Sequence, residues 1–306
     1  MKAILVSSCL AALIASPIGR TQTVSAPAPS ARPGLPALYI LGDSTAAESP
    51  QAPTVQGWAV PFADYFDAAK IRVVNAARGG RSSRTFITQG LLAAVVADLK
   101  PGDLVLLQFG HNDVFPLNDN RVARGTLHGI GDETEEIDNQ LTGQHEVVHT
   151  YGWYMRKMVS DIRATGATPI VLTLTIRDRW NQNGTIERLP DPNLDLSNSN
   201  RFGEPAIYSL WAVQVAKQMD VPVIDVHNLI ADRYDREGPD VVSTYFHSAG
   251  DPTHRNATGA AVDAELTLAG LKALCGAALE NYLSAKGKVV LAADAKYIIR
   301  AMGSHN

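Results

Sequence analysis

Five short apolar runs punctuate the chain: "ALYIL" (37 to 41), "IRVVNA" (71 to 76), "DLVLLQF" (103 to 109), "TPIVLTLT" (168 to 175) and "VPVIDV" (221 to 226). None presents a polar face, so each reads as a strand covered on both sides. Longer segments with apolar residues at helical spacing lie between them: "WAVPFADYFDAAK", "TFITQGLLAAVVADLK", "YGWYMRKMVSDIRATG" and "PAIYSLWAVQVAKQM". Strand and helix in alternation predict a doubly wound α/β fold, with a mainly parallel five-stranded sheet and right-handed crossovers. Two polar segments, residues 114 to 149 and 176 to 204, break the rhythm. Each follows the C-terminal end of a predicted strand, the edge where open α/β sheets place ligands, and segments this long are expected to wall a substrate cleft.

The termini read differently. Lys2, an apolar run from Ala3 to Ile14 and the triplet Val24-Ser25-Ala26 have the layout of a secretory signal peptide, residues 1–26, cleaved after Ala26. A retained membrane anchor needs roughly 18 apolar residues, and Ser7, Ser8 and Cys9 interrupt a shorter run. "PAPSARPGLP" (27–36) reads as a Pro-rich linker, residues 37–285 as one folded domain and residues 286–306 as a C-terminal extension. A periplasmic or secreted protein is expected. Cys9 would leave with the signal, so Cys275 would stand alone in a helix-like apolar pattern and the mature chain would depend on its core. The net charge of -4 and the absence of a long basic run give no footprint for nucleic acid. After signal cleavage no stable membrane insertion is expected.

Acyl transfer needs an activated hydroxyl, a base with an orienting partner, and donors aimed at the developing oxyanion. In "YILGDSTAAES" (39 to 49), Ser44 lies just past the first strand, Gly42 lets the backbone turn, and small residues follow. Gly-Asp-Ser is equally a common turn sequence, and the Gly-x-Ser-x-Gly elbow is absent. Eight histidines compete for the base. His111 and His227 end strands, His128, His145 and His149 fall in or beside the first long segment, His247 lies in a polar stretch and His305 in the tail. In "AGDPTHRNATGA" Asp251 precedes His254 by one turn, which can bring a carboxylate to Nδ1 and leave Nε2 for a serine. Asp225 and His227, sharing a strand face, form the rival pair; their other reading is a satisfied histidine at a strand end. Oxyanion donors are offered by the Ser44 amide, by Gly80 in "NAARGGRSS" and by Asn112 in "FGHND". His111, Asp113, Asp251 and His254 are metal-ligand types, yet no compact ligand motif joins them, so no metal or cofactor is expected.

Four blocks in order resemble the SGNH or GDSL-type hydrolases: "GDS", "GGRSSRTF", "FGHND" and "DPTH". More narrowly, "NAARGGRSSRTF", "QFGHND" and "DPTHRNATGA" are similar to the rhamnogalacturonan acetylesterases, carbohydrate esterases acting on pectin. The resemblance covers roughly residues 37 to 275. It implies a flavodoxin-like three-layer α/β/α sandwich and makes 37–285 the catalytic domain. It also implies Ser44 as nucleophile, Asp251 as orienter, His254 as base, and Ser44, Gly80 and Asn112 as the oxyanion hole. The implied substrate is an acetylated polysaccharide or oligosaccharide. The same superfamily holds lysophospholipases and thioesterases, which need an apolar acyl channel; a carbohydrate-binding protein without catalysis is the alternative of another class. Arg177, Trp180 and Tyr151 are the substrate-binding candidates, able to stack on sugars or pair with uronates. For Trp58 and Trp153, inside predicted helices, core packing is an equal reading. Two departures stand out: Arg78, where relatives commonly carry an apolar residue, and the length of the first polar segment.

Overall fold

The computed structural model describes residues 34–188 and 205–300. The expected signal peptide, all but the end of the linker, part of the second polar segment and the last six residues lie outside them. Eight strands are present among the described residues: β1 (Ala37–Gly42), β2 (Arg72–Asn75), β3 (Leu104–Gln108), β4 (Thr134–Asp138), β5 (His145–His149), β6 (Thr168–Leu172), β7 (Val223–Ile224) and β8 (Ile298–Ile299). Helices are α1 (Ala59–Phe62), α2 (Ser83–Thr88), α3 (Leu91–Asp98), α4 (Tyr151–Ala164), α5 (Pro205–Gln218), α6 (Val226–Glu237), α7 (Pro239–Ser243), α8 (Ala257–Cys275), α9 (Ala277–Glu280) and α10 (Ala285–Val289).

The main sheet has the order β2-β1-β3-β6-β7-β8. Its first five strands are parallel, and β8 is antiparallel to β7. Alternate residues of β1 serve two cores. Leu38 and Ile40 join Trp58, Phe62, Ile230 and Leu268 on the face covered by α1, α6 and α8. Ala37, Tyr39 and Leu41 join Phe86, Met155, Val159 and Val215 on the face covered by α2 to α5. Both faces of the strand are therefore dry, which is why its sequence lacks alternation. The result is the α/β/α sandwich.

Several expectations are corrected. The sheet has six strands rather than five, because the C-terminal extension adds one. Ile298 and Ile299 pair with Ile224 and Val223, and the buried Tyr297 joins the core. The run "VPVIDV" yields only two strand residues, since Asp225 caps α6 by accepting from the Asn228 amide at 3.2 Å. The segment "TFITQGLLAAVVADLK" is broken at Gly90, whose φ of +75° ends α2 and starts α3. The first polar segment is a built structure, containing the β4–β5 hairpin. Buried Arg84 of α2 pins it, donating to Glu146 at 2.6 and 2.7 Å and to the Leu117 and Gly125 carbonyls.

Candidate active site

β1 ends in a turn made by its own residues. The Asp43 carboxylate accepts from the Thr45 amide and hydroxyl, both at 2.9 Å, and the Asp43 carbonyl accepts from the Ala46 and Ala47 amides. This Asx turn directs Asp43 inward and leaves Ser44 half-buried at the C-terminal edge of the sheet. Asp43 is therefore a turn residue.

The second half comes from the loop ahead of α8. Asn256 caps that helix, accepting from the Thr258 and Gly259 amides. Buried Arg255 donates to Asp263 at 3.0 Å, to the Ile176 carbonyl at 2.6 Å and to the Thr253 carbonyl at 2.9 Å. These contacts hold the preceding residue against β1. His254 Nε2 lies 2.9 Å from Ser44 Oγ, and its Nδ1 lies 2.6 Å from Asp251 Oδ2. Asp251 Oδ1 accepts from the Thr253 and His254 amides at 2.9 and 3.1 Å. Partial burial pushes the Asp251 carboxyl up, but the hydrogen bonds from His254 and these amides outweigh it and hold it at about 2. An ionised Asp251 keeps the proton on Nδ1, so the Nε2 lone pair faces the serine.

A further imidazole touches the same carboxylate. His247 Nε2 lies 3.3 Å from Asp251 Oδ2, while its amide donates to the His254 carbonyl. The antiparallel bridge between Phe246 and Arg255 folds this stretch back on itself, so that His247 meets the carboxylate four residues further on.

Beside Ser44 lies the glycine loop after β2. Gly80 has φ +74°, a left-handed conformation that favours glycine, and a Cβ built on Gly79 would sit 3.9 Å from Ser44 Cβ. Asn112, buried after β3, donates one side-chain hydrogen to the Arg81 carbonyl at 3.0 Å. The Ser44 and Gly80 amides meet no protein acceptor among the described residues. The Ser44 and Gly80 amides and the second Asn112 side-chain hydrogen are thus donors with unused capacity on the loops that follow β1, β2 and β3.

Other candidates go elsewhere. Tyr151 does not reach substrate: it is fully buried, donates its hydroxyl to the Phe109 carbonyl at 2.9 Å and packs on Tyr208. Trp58 is buried with its indole N–H on Gln108. Trp153 stacks on His149. In the rival pair Asp225 still acts on His227 electrostatically, but it accepts from Thr173 and Asn228 to cap α6, and buried His227 places Nδ1 3.2 Å from the Leu174 carbonyl. Trp180 is half-buried, donates to Asp178 at 2.7 Å and leans on the core. Arg177 is half-buried next to Asp178, whose amide donates to the Pro252 carbonyl, so this segment borders the His254 loop. His111 faces Thr175 and Asp113 faces Ser83. Among the described residues no group of three or more His, Cys, Asp or Glu is arranged to hold a metal, and no helix is long and apolar enough to cross a membrane.

Serine, imidazole and carboxylate in one hydrogen-bonded series, at the C-terminal edge of a doubly wound sheet, are the arrangement of a serine hydrolase. The comparisons narrow that class. Residues 40–262 match the GDSL-like lipase/acylhydrolase family. A rhamnogalacturonan acetylesterase from Emericella nidulans is 32% identical over 250 residues, covering 81% of this chain and 89% of the relative. The rhamnogalacturonan acetylesterase RhgT of Bacillus subtilis is 29% identical over 266 residues, covering 82% of this chain and 96% of the relative. The crystal structure of protein YxiM from Bacillus subtilis matches with a TM-score of 0.58 at 24% identity, over 79% of this chain and 58% of that one. That likeness shows the shared fold. The chain belongs to the GDSL-like lipase/acylhydrolase family and is a carboxylic ester hydrolase.

Proposed function

We propose that the protein, acting after export, removes acetyl groups from a plant cell-wall polysaccharide, acetylated rhamnogalacturonan in pectin. The observation that carries this reading is the series Ser44 Oγ to His254 Nε2 at 2.9 Å and His254 Nδ1 to Asp251 Oδ2 at 2.6 Å. The names of the relatives support acetyl as the acyl group and an acidic pectin chain as the alcohol half. His254, held by Asp251, takes the Ser44 proton as Oγ attacks the acetyl carbonyl. The oxyanion rests against the Ser44 and Gly80 amides and the free Asn112 side-chain hydrogen. His254 then protonates the departing sugar hydroxyl, and water, deprotonated by His254, releases acetate from the acyl-serine.

The test is acetate release from acetylated rhamnogalacturonan, acetylated xylan and 4-nitrophenyl esters of increasing chain length. Release from rhamnogalacturonan, lost in Ser44→Ala with unchanged circular dichroism, is expected. A preference for acyl chains of about eight carbons or more would overturn the assignment in favour of a lipase, since the rate gain would follow apolar burial of the chain. Tight polysaccharide binding without acetate release would favour a binding protein.

A further inference from the structure

Three arginines crowd the glycine loop of the oxyanion site, and each is tied to it by one Nη1. Arg78 donates to the Ala77 carbonyl at 2.9 Å, Arg81 to the Gly79 carbonyl at 2.9 Å and Arg124 to the Gly80 carbonyl at 3.0 Å. Arg81 also donates Nε to Gln89 at 2.9 Å. No carboxylate forms an ion pair with any of the three among the described residues. Elsewhere Arg84, Arg156, Arg188, Arg233 and Arg255 are ion-paired, while Arg163 and Arg300 donate to main-chain carbonyls. The cluster is electrostatically costly: burial lowers the proton affinity of Arg78 and Arg124, and the neighbouring Arg81 lowers it further. Buried Asp43 and Asp113 act on Arg124 from below without pairing with it. Like charges held half-buried without counter-ions form an electropositive surface suited to an anion.

The place of this surface is fixed relative to the chemistry. The Arg78 amide donates to the Gly42 carbonyl, two residues before Ser44, and Asn112 donates to the Arg81 carbonyl. The Arg124 guanidinium lies 4.0 Å from the ring centroid of Phe115, a residue 37% exposed and three beyond Asn112. An ester whose carbonyl enters the oxyanion site carries its sugar ring alongside these groups. The Nη2 edges of Arg78 and Arg124 have no protein acceptor among the described residues, and the Phe115 ring offers an apolar face to a pyranose.

We infer that Arg78, Arg81 and Arg124, with Phe115 beside the last, form a subsite for the carboxylate of a uronic acid residue next to the acetylated position. This rests on the acetylesterase reading and adds that the negative charge of the substrate is read at the oxyanion loop. Arg78, Arg81, Arg124 and Phe115 carry this specificity; the chemistry stays with Ser44, His254 and Asp251.

The experiment compares kcat/KM for acetate release from acetylated rhamnogalacturonan and from the same polymer after reduction of its carboxyl groups to alcohols. The wild type is expected to favour the acidic polymer about tenfold or more, the worth of a hydrogen bond to a charged group. Arg78→Met/Arg124→Met is expected to bring that ratio close to one, and Arg78→Lys/Arg124→Lys to restore part of it. Any loss caused by freeing the Gly80 carbonyl falls on both polymers and cancels in the ratio. A ratio near one in the wild type, or a ratio unchanged in the Met variant, overturns the subsite. Absence of acetate release from either polymer, with 4-nitrophenyl acetate still hydrolysed, overturns the acetylesterase reading itself.

Discussion

Asn112 gives one side-chain hydrogen to the Arg81 carbonyl and retains the other, so its amide is oriented before substrate arrives. A donor held in place needs no reorganisation when charge develops on the carbonyl oxygen. Asn112→Ala is therefore expected to lower kcat by about 100 to 1,000-fold, with KM for the acetyl ester little changed. Steady-state kinetics on 4-nitrophenyl acetate read this directly; an equal loss in KM alone would assign Asn112 to binding. The next residue behaves differently. Burial pushes the Asp113 carboxyl up to about 7, against the opposing hydrogen bonds from the Ser83 hydroxyl and amide. Between the ordinary carboxylate value and about 7 the folded chain holds a proton that the unfolded chain has released, so stability falls as pH rises through that window and levels above it. In urea denaturation at about pH 5 and about pH 8, Asp113→Asn should show a smaller loss than wild type. Equal losses would remove Asp113 as the cause.

At the scale of elements, the glycine loop, the hairpin and α2 act together. Arg84 reaches from α2 to Glu146 on β5 and to the Leu117 and Gly125 carbonyls, which bound the segment carrying Arg124. Burial raises the Glu146 carboxyl, but its hydrogen bonds to Arg84 and Asn139 outweigh this and hold it below its ordinary value. Arg84→Met leaves a partly buried carboxylate without its partner, a change that costs roughly 3 to 5 kcal/mol where the pair is fully buried. Hydrogen exchange should rise over residues 134 to 149 while β1 and β3 stay protected; uniform loss across the sheet would show that the pair supports the whole core instead. None of this hairpin is legible in the chain, because four of the five β4 residues are exposed and its sequence carries no alternation of apolar and polar positions. By contrast α4 and α5 are legible, since their apolar faces repeat within a few residues.

At the scale of the whole molecule, the C-terminal residues close the sheet. Beyond the β7–β8 pairing, the Tyr297 hydroxyl bonds to Asp232, the Ala293 amide donates to the Ala269 carbonyl at 2.9 Å and Lys272 donates to the Val290 carbonyl at 2.7 Å. Deleting residues 286 to 306 would bare one edge of β7 and uncover part of the face packed by α8. A lower thermal midpoint and faster aggregation are expected, measured by calorimetry and light scattering. An unchanged midpoint would show that the segment is dispensable.

The parallel strands were readable because burial on both faces leaves an unbroken apolar run, a property each strand carries by itself. The Asp251 and His254 pair was readable because one turn of chain joins them. Ser44 lies 210 residues from His254, and only the strand order that brings the end of β1 beside the α8 loop places hydroxyl and imidazole 2.9 Å apart. The same holds for residues that local pattern mislabels or passes over. Tyr151 has the chemistry of a sugar platform and is sealed in the core, while Arg124 sits in an unremarkable polar stretch and reaches the glycine loop across 44 residues of sequence. Local periodicity determined the elements, because periods of two and 3.6 residues are properties of neighbouring positions. Tertiary structure decided which strand ends meet, which arginines face the oxyanion loop, and where the tail joins the sheet, because those contacts depend on how the elements are ordered around the two cores.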